Sequence, residues 1–288
     1  MTAWLRAIRP VQWVKNLLLL VPLFTSHAFD APAFGRIGLA FIAFGCVASA
    51  TYILNDIRDL QSDRRHPHKR RRPFAAGKLP VWQGAIAIPV LLVLGLVLAA
   101  MVSAPFLLTM LVYLTLTTLY SIWLKRLALV DVLTLAGLYD LRIIAGAAAI
   151  DVPLSAWLLA FSAFIFFSLA LVKRDAELAE LNRRGEVDST GRDYHVNDYP
   201  MLSTMGIASG YMAVVVLALF INTPAVRMRY EHPLVLGLLC PAVLYWISRL
   251  WLQTGRGEML DDPILWCLKD RVTWLVILAM IGITIAAI

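Results

Sequence analysis

The stretch YILNDIRDLQSDRRHPHKRRRPFAAGK, residues 52–78, closes one long apolar run and opens a basic segment. It carries three aspartates and eight Lys or Arg residues at one junction. Charge at the edge of an apolar run is costly, because ions are solvated by water and not by hydrocarbon. Charges of both signs in such number mark one of two things. Either the acids neutralise a basic loop, or the junction is built to hold charged ligands.

The sequence around this junction decides the fold. Of 288 residues, 60% are hydrophobic and 16% charged, and the mean hydropathy is +0.74. A water-soluble domain of this length could not bury so much apolar surface, so lipid must solvate most of it. A helix needs about 20 apolar residues to cross the hydrocarbon. Nine such stretches are present, at 17–33, 37–57, 81–102, 105–123, 128–149, 153–172, 200–222, 232–252 and 270–288. They lack the alternation of a membrane barrel, and helices alone satisfy their own backbone in lipid. The expected fold is an all-α integral membrane protein of nine transmembrane helices, one domain over 1–288, with 1–16 lying at the interface.

The basic residues orient it. With the N-terminus inside, 22 of the 26 Lys and Arg residues fall on the cytoplasmic side or next to it, as the positive-inside rule requires. This predicts a multi-pass protein of the cytoplasmic (inner) membrane, N-terminus in and C-terminus out, its charged loops 58–80 and 173–199 facing the cytoplasm. The net charge of +7 follows from that topology, so no nucleic-acid partner is needed to explain it. MTAWLRAIRPVQWVKN, residues 1–16, has no sustained apolar core of the kind a cleavable signal requires. Trp4 and Trp13, above Arg6, Arg9 and Lys15, read instead as an interfacial anchor. Cys46, Cys240 and Cys267 have no ligand or disulfide spacing and are expected as free thiols.

Asp56, Asp59 and Asp63 are spaced i, i+3, i+7, which on one helix places them within an arc of roughly 60°, with Asn55 at its edge. Carboxylates so close repel one another unless a cation sits among them. Hard oxygen donors suit Mg²⁺, which takes one or two carboxylates and completes its shell with water and phosphate oxygens. The bases that follow, Lys69 and Arg72 among them, can bind those phosphates. His66 and His68 flank Pro67 as further ligands or as a polar turn.

NDIRDLQSD (55–63) followed by KRRRPFAAGKLP (69–80) resembles the first aspartate-rich motif of the UbiA-type intramembrane prenyltransferase superfamily. The resemblance implies nine helices around a central cavity open to the cytoplasm and sideways to lipid, and a diphosphate bound through Mg²⁺ on Asp56, Asp59 and Asp63, assisted by Asn55. IRPVQWVKN (8–16), LYDLRIIAGAAA (138–149), LVKRDAEL (171–178) and GRDYHVND (191–198) are similar to the branch that transfers phosphoribose to a polyprenyl phosphate for cell-envelope glycan precursors. That branch implies phosphoribosyl diphosphate and polyprenyl phosphate as substrates. It places substrate contacts on Lys15, Asn16, Lys69, Arg72, Tyr139, Arg142, Lys173, Arg174, Glu177, Arg192, Tyr194 and Asp198. Lys173 and Arg174 stand where quinone- and haem-type members have a second acidic motif. Asp175 stands where the branch has an aromatic residue.

Read from the residues alone, several of these remain open. Arg142, inside an apolar run, needs an interior partner, which is either a substrate phosphate or a carboxylate, Asp131 or Asp140. Lys173 and Glu177 form a second wall of the site or only an i, i+4 surface pair. The small-residue run AGAAA fits a homo-oligomer contact or internal packing. Two other functions are weighed. A prenyltransferase acting on polyprenyl diphosphate and an aromatic acceptor would use the same first motif. A lipid transporter would gather polar groups at the membrane midplane, whereas here they gather at one face.

Overall fold

In a computed structural model, residues 3–65, 69–183, 185, 192–259 and 262–288 are described; His66 and His68 lie outside them. The regular elements among the described residues are all helical. Among the described residues, seven helices are long and apolar enough to cross a membrane, or eight if the pair Pro263–Lys269 and Arg271–Ala287, bent by 83°, forms one span. Chain contacts divide the molecule into two units, Met1–Ile122 with Leu141–Leu154, and Trp123–Asp140 with Ser155–Ile288.

The first unit contains α1 (Ala3–Ile8), a 3-10 helix over Pro10–Leu20, α2 (Val21–Ser26), α3 (Ala31–Arg58), α4 (Leu60–Arg65), α5 (Val81–Val102) and α6 (Ala104–Ile122). The stretch expected as a first span, 17–33, is divided among the 11-residue 3-10 helix, the six residues of α2 and the start of α3. Pro22 and Pro32 sit in first helical turns, where a missing N–H costs nothing. Asp30 caps α3, its Oδ1 accepting from Ala33 N at 2.7 Å. α3 is the interior helix of this unit and α5 its outer one, with 67% and 17% of their apolar windows buried. Val90, Val93, Val97 and Met101 form an exposed stripe along α5, as a lipid-facing surface should.

α7 (Val130–Ile150) runs unbroken, its residues to Asp140 counted with the second unit and those from Leu141 with the first. The second unit continues with α8 (Ala156–Arg183), α9 (Tyr199–Ile221), α10 (Pro224–Arg229), α11 (Leu239–Gly255), α12 (Pro263–Lys269) and α13 (Arg271–Ala287). One polar node joins three of them. Trp251 on α11 donates to Ser168 Oγ on α8 at 3.0 Å, and Ser168 donates to the Gly206 carbonyl on α9 at 2.7 Å. A Cβ at Gly206 would fall 2.1 Å from the Trp251 ring, so the node closes only around glycine. At the bend between α12 and α13, Asp270 caps α13 through Thr273 N and takes two hydrogen bonds from Arg249, at 2.7 and 3.0 Å.

The AGAAA run proves to pack internally at Gly146, where a Cβ would lie 2.3 Å from the Leu19 carbonyl oxygen. Backbone cannot yield as a side chain can. Gly146→Ala is therefore expected to destabilise the protein by about 1–3 kcal/mol. Gly137→Ala in the same helix, which meets nothing within 4 Å, should be neutral or slightly stabilising; thermal unfolding of both variants in detergent checks the contrast.

Candidate functional site

α3 carries the aspartate motif to its own end. The helix stops at Arg58, Asp59 is its C-cap, and α4 starts at Leu60. Asp59 N still bonds to the Asn55 carbonyl at 2.9 Å and Asp63 N to the Asp59 carbonyl at 2.8 Å, so the chain turns without losing its ladder. Asp56 and Asp63 come together on one guanidinium: Arg72 Nη1 donates to Asp56 Oδ1 at 3.1 Å and to Asp63 Oδ2 at 2.7 Å. Asp59 lines a shallow surface groove with Arg58, Gln61, Ser62 and Arg65. Asn55 lines another groove, about 330 Å³, with Thr51, Arg58, Thr117, Thr118 and Ser121 between α3 and α6.

Both joined carboxylates are buried, Asp56 to 1% and Asp63 to 2% exposure. A second cation answers Asp56. Arg9 Nη2 donates to the same Oδ1 at 2.5 Å, with its guanidinium 5.2 Å from the centre of the Tyr52 ring. Arg9 was expected only as a membrane anchor. Two guanidiniums thus balance two carboxylates. Asp56 Oδ2 is left buried with no hydrogen-bond partner among the described residues. Buried polar atoms are nearly always satisfied, so an oxygen of this kind marks a place for a cation or a donor. Among the described residues, no three His, Cys, Asp or Glu side chains are grouped closely enough to hold a metal ion. Two carboxylates with one spare oxygen nevertheless fit Mg²⁺, whose remaining ligands are usually water and phosphate.

Lys15 and Asn16 are buried on the 3-10 helix of the first unit. Arg142 is buried too, and an amide, a hydroxyl and two aromatic rings lie against it. Its Nη2 donates to Tyr113 OH at 2.9 Å and its Nε reaches Asn16 Oδ1 at 3.4 Å. It also lies over the rings of Tyr113 and Phe44, 4.9 and 5.7 Å from their centres. Lys69 is exposed and opens the short 3-10 turn Lys69–Arg71, three residues before Arg72.

Asp131, at the start of α7, organises the second unit's charges. Tyr194 OH donates to Asp131 Oδ1 at 2.5 Å and accepts from Leu129 N at 2.8 Å. Arg174 Nε lies 3.2 Å from Asp131 Oδ2, and the Arg192 guanidinium 3.9 Å from the same oxygen. Glu177 links the two arginines, bonded to Arg174 and, at 2.7 Å, to Arg192. Burial first, and the Asp131 carboxylate second, push the Tyr194 phenol well above its ordinary range. Arg174 is 1% exposed, and its Nη2 has no hydrogen-bond partner among the described residues. Lys173 is more open, its Nζ 4.0 Å from Asp262. Tyr139 packs against Phe166, ring centres 5.1 Å apart. Asp198 caps its own turn, accepting from His195 N at 2.9 Å. Asp175 is fully buried, with Ser203 donating to its Oδ1 and no hydrogen-bond partner for its Oδ2 among the described residues.

Removing the Tyr194 hydroxyl would leave Asp131 and Leu129 N short of a partner in a buried place. Tyr194→Phe is expected to cost about 1–3 kcal/mol, read as a lowered unfolding midpoint in detergent. Asp198→Asn, which alters only a local cap, should lower it less.

Comparison with known proteins gives this arrangement a family. The chain matches the model of the UbiA prenyltransferase family over residues 19–261. It is 40% identical over 277 residues to the uncharacterized protein y4nM of Sinorhizobium fredii, a match that takes 95% of this chain and 53% of that protein; the chain spans about half the length of this relative. It is 38% identical over 274 residues to the nodulation protein NoeC of Azorhizobium caulinodans, covering 95% of this chain and 89% of that one. It is also 38% identical over 199 residues to the decaprenyl-phosphate phosphoribosyltransferase of Mycobacterium tuberculosis, 67% of this chain and 66% of that protein. A solved UbiA homolog from Archaeoglobus fulgidus, bound to GPP and Mg²⁺, superposes with a TM-score of 0.70 at 17% identity over 98% and 99% of the two chains, a likeness of fold. The apolar helices, the aspartate motif at the end of α3 and the match over residues 19–261 lead to one conclusion: this multi-pass membrane protein belongs to the UbiA prenyltransferase family.

Proposed function

We propose that the protein transfers 5-phosphoribose from phosphoribosyl diphosphate to a polyprenyl phosphate, releasing diphosphate. The observation that carries this reading is the buried Asp56–Asp63 pair, balanced by Arg72 and Arg9 and with one oxygen to spare. Such a site suits a ligand that brings anions and a cation together. The choice of donor is supported by the 38% identity to a decaprenyl-phosphate phosphoribosyltransferase and by Lys173 and Arg174 in place of a second acidic motif. Arg174, with Nη2 unfilled, and the half-exposed Lys173 favour a donor carrying an additional phosphate.

In this reading a phosphate oxygen of the lipid attacks C1 of the ribose while the bond from C1 to the diphosphate oxygen breaks. The ribose passes through an oxocarbenium-like state, as in other glycosyl transfers. Arg72 and Lys69 donate to the leaving diphosphate as its charge grows. Mg²⁺, held by Asp56 and Asp63, would neutralise that same charge when bound. The attacking phosphate is already an anion near neutral pH, so the chain needs no dedicated general base. Nine spans, the N-terminus inside and the site at the cytoplasmic face complete the reading.

The second reading is alkylation of an aromatic acceptor by a polyprenyl diphosphate, and the observation behind it is the fold shared with a homolog bound to GPP and Mg²⁺. A paired assay of purified protein in lipid separates the two, with products read by mass spectrometry. Phosphoribosyl diphosphate plus polyprenyl phosphate should give phosphoribosylated lipid; polyprenyl diphosphate plus 4-hydroxybenzoate should give nothing. Product in the second mixture alone would reverse the assignment. Asp63→Asn is expected to lower turnover by about 10²–10³-fold, and Asp59→Asn by less, because Asp59 lies away from the joined pair. Full activity in a folded Asp63→Asn variant would remove the site from the mechanism.

A further inference from the structure

Asp56 is held by more positive charge than one carboxylate needs. Its Oδ1 accepts from both Arg9, at 2.5 Å, and Arg72, at 3.1 Å, while Oδ2 accepts from neither. Arg72 is committed twice, since it also bonds Asp63. Arg9 has this single carboxylate bond among the described ion pairs. A cation that approaches Asp56 therefore competes with Arg9 first.

The backbone on both sides of Arg9 is fastened to α3. Ser49 Oγ donates to the Ile8 carbonyl at 2.8 Å and accepts from Trp13 Nε1 at 3.1 Å. The Trp13 ring lies against Gly45, where a Cβ would stand 2.8 Å from it. Arg9 itself has φ 51° and ψ 59° immediately before Pro10. That left-handed conformation is uncommon for any residue with a side chain and disfavoured before proline. Backbones held this way are found where a side chain must be aimed, as in ligand clamps. The Cα is fixed, and the long side chain, about a quarter exposed, is the part free to swing. The Tyr52 ring beside it gives the guanidinium a second surface to rest on.

We propose that Arg9 makes cation binding at Asp56 dependent on a diphosphate: it yields the carboxylate to a divalent cation only when phosphate oxygens arrive to receive its guanidinium. The inference rests on the metal–diphosphate reading of the same site. Its physical basis is charge balance in a buried place. A divalent cation alone would add two positive charges beside two guanidiniums, and a diphosphate alone would add negative charge beside two carboxylates. Each is unfavourable where water is scarce. Together they restore balance, so each ligand strengthens the other by the same factor. Arg9 is thus assigned as a donor-binding residue that sets the order of loading.

The test uses the full chain in detergent, with Mn²⁺ as the cation and free Mn²⁺ followed by electron paramagnetic resonance, with and without inorganic diphosphate. In the wild type, diphosphate should tighten Mn²⁺ binding about tenfold or more. In Arg9→Gln, Mn²⁺ alone should bind about fivefold more tightly, and the gain from diphosphate should shrink to about threefold or less. Arg9→Lys keeps the charge and should keep the coupling; loss of coupling there would overturn the charge-balance argument. Unchanged Mn²⁺ affinity in folded Arg9→Gln, with wild-type coupling intact, would overturn the assignment of Arg9 alone. Absence of Mn²⁺ binding to the wild type in either condition would overturn the metal–diphosphate reading and this inference with it.

Discussion

A carboxylate at 1% exposure near the end of a long apolar helix is stable only if its charge is answered at short range. Asp56 is that carboxylate, and much of the first unit is arranged around it. The N-terminal segment is tied to α3 so that Arg9 reaches it. Asp63, two helical turns on, shares Arg72 with it. The basic segment after α4 returns to supply that arginine. Truncating Arg72 would take from Asp63 the guanidinium that answers it in a buried place, which costs far more than the pair contributes beyond neutral packing. The motif therefore serves stability and ligand chemistry with the same atoms.

The second unit obeys the same constraint with a different outcome. Asp131 is fully buried and is answered by Arg174, by Tyr194 and, at longer range, by Arg192. Arg174 and Lys173 are neighbours in sequence and would be read alike from composition. One is turned inward to hold the start of α7, while the other stays half-exposed near Asp262. One residue of helix is a rotation of about 100°, enough to divide an interior role from a surface one. Arg142 shows the limit of pairing by charge alone. An amide, a hydroxyl and two aromatic faces are among its partners, since an arginine's spread charge accepts such partners.

Family membership narrows the chemistry without choosing the donor. A shared fold hosts different reactions, and function resides in the side chains at the site. In this chain the side chains at 173–175 differ sharply in setting: Lys173 is half-exposed, Arg174 is buried against Asp131, and Asp175 is buried with a serine as its hydrogen-bonding neighbour.

By itself the sequence determined the all-helical membrane class, the edges of most long helices and the place where charge gathers. Those follow from hydropathy and from local rules of capping and proline placement, which act over a few residues. The apolar run 81–102, which α5 matches end to end, is legible in this way. Only the tertiary structure decided which charges meet. The aspartates look equivalent at i, i+3, i+7, yet Arg72 joins Asp56 to Asp63 while Asp59 lines a surface groove with Arg58 and Arg65. Arg9 reads as an anchor until the chain folds its backbone onto Ser49, 40 residues away in sequence. Nothing local marks Asp131 as the partner of Arg174 and Tyr194 rather than of Arg142. Pairing between distant charges depends on how helices pack, and packing responds to the whole chain at once, so it cannot be read from spacing along one helix.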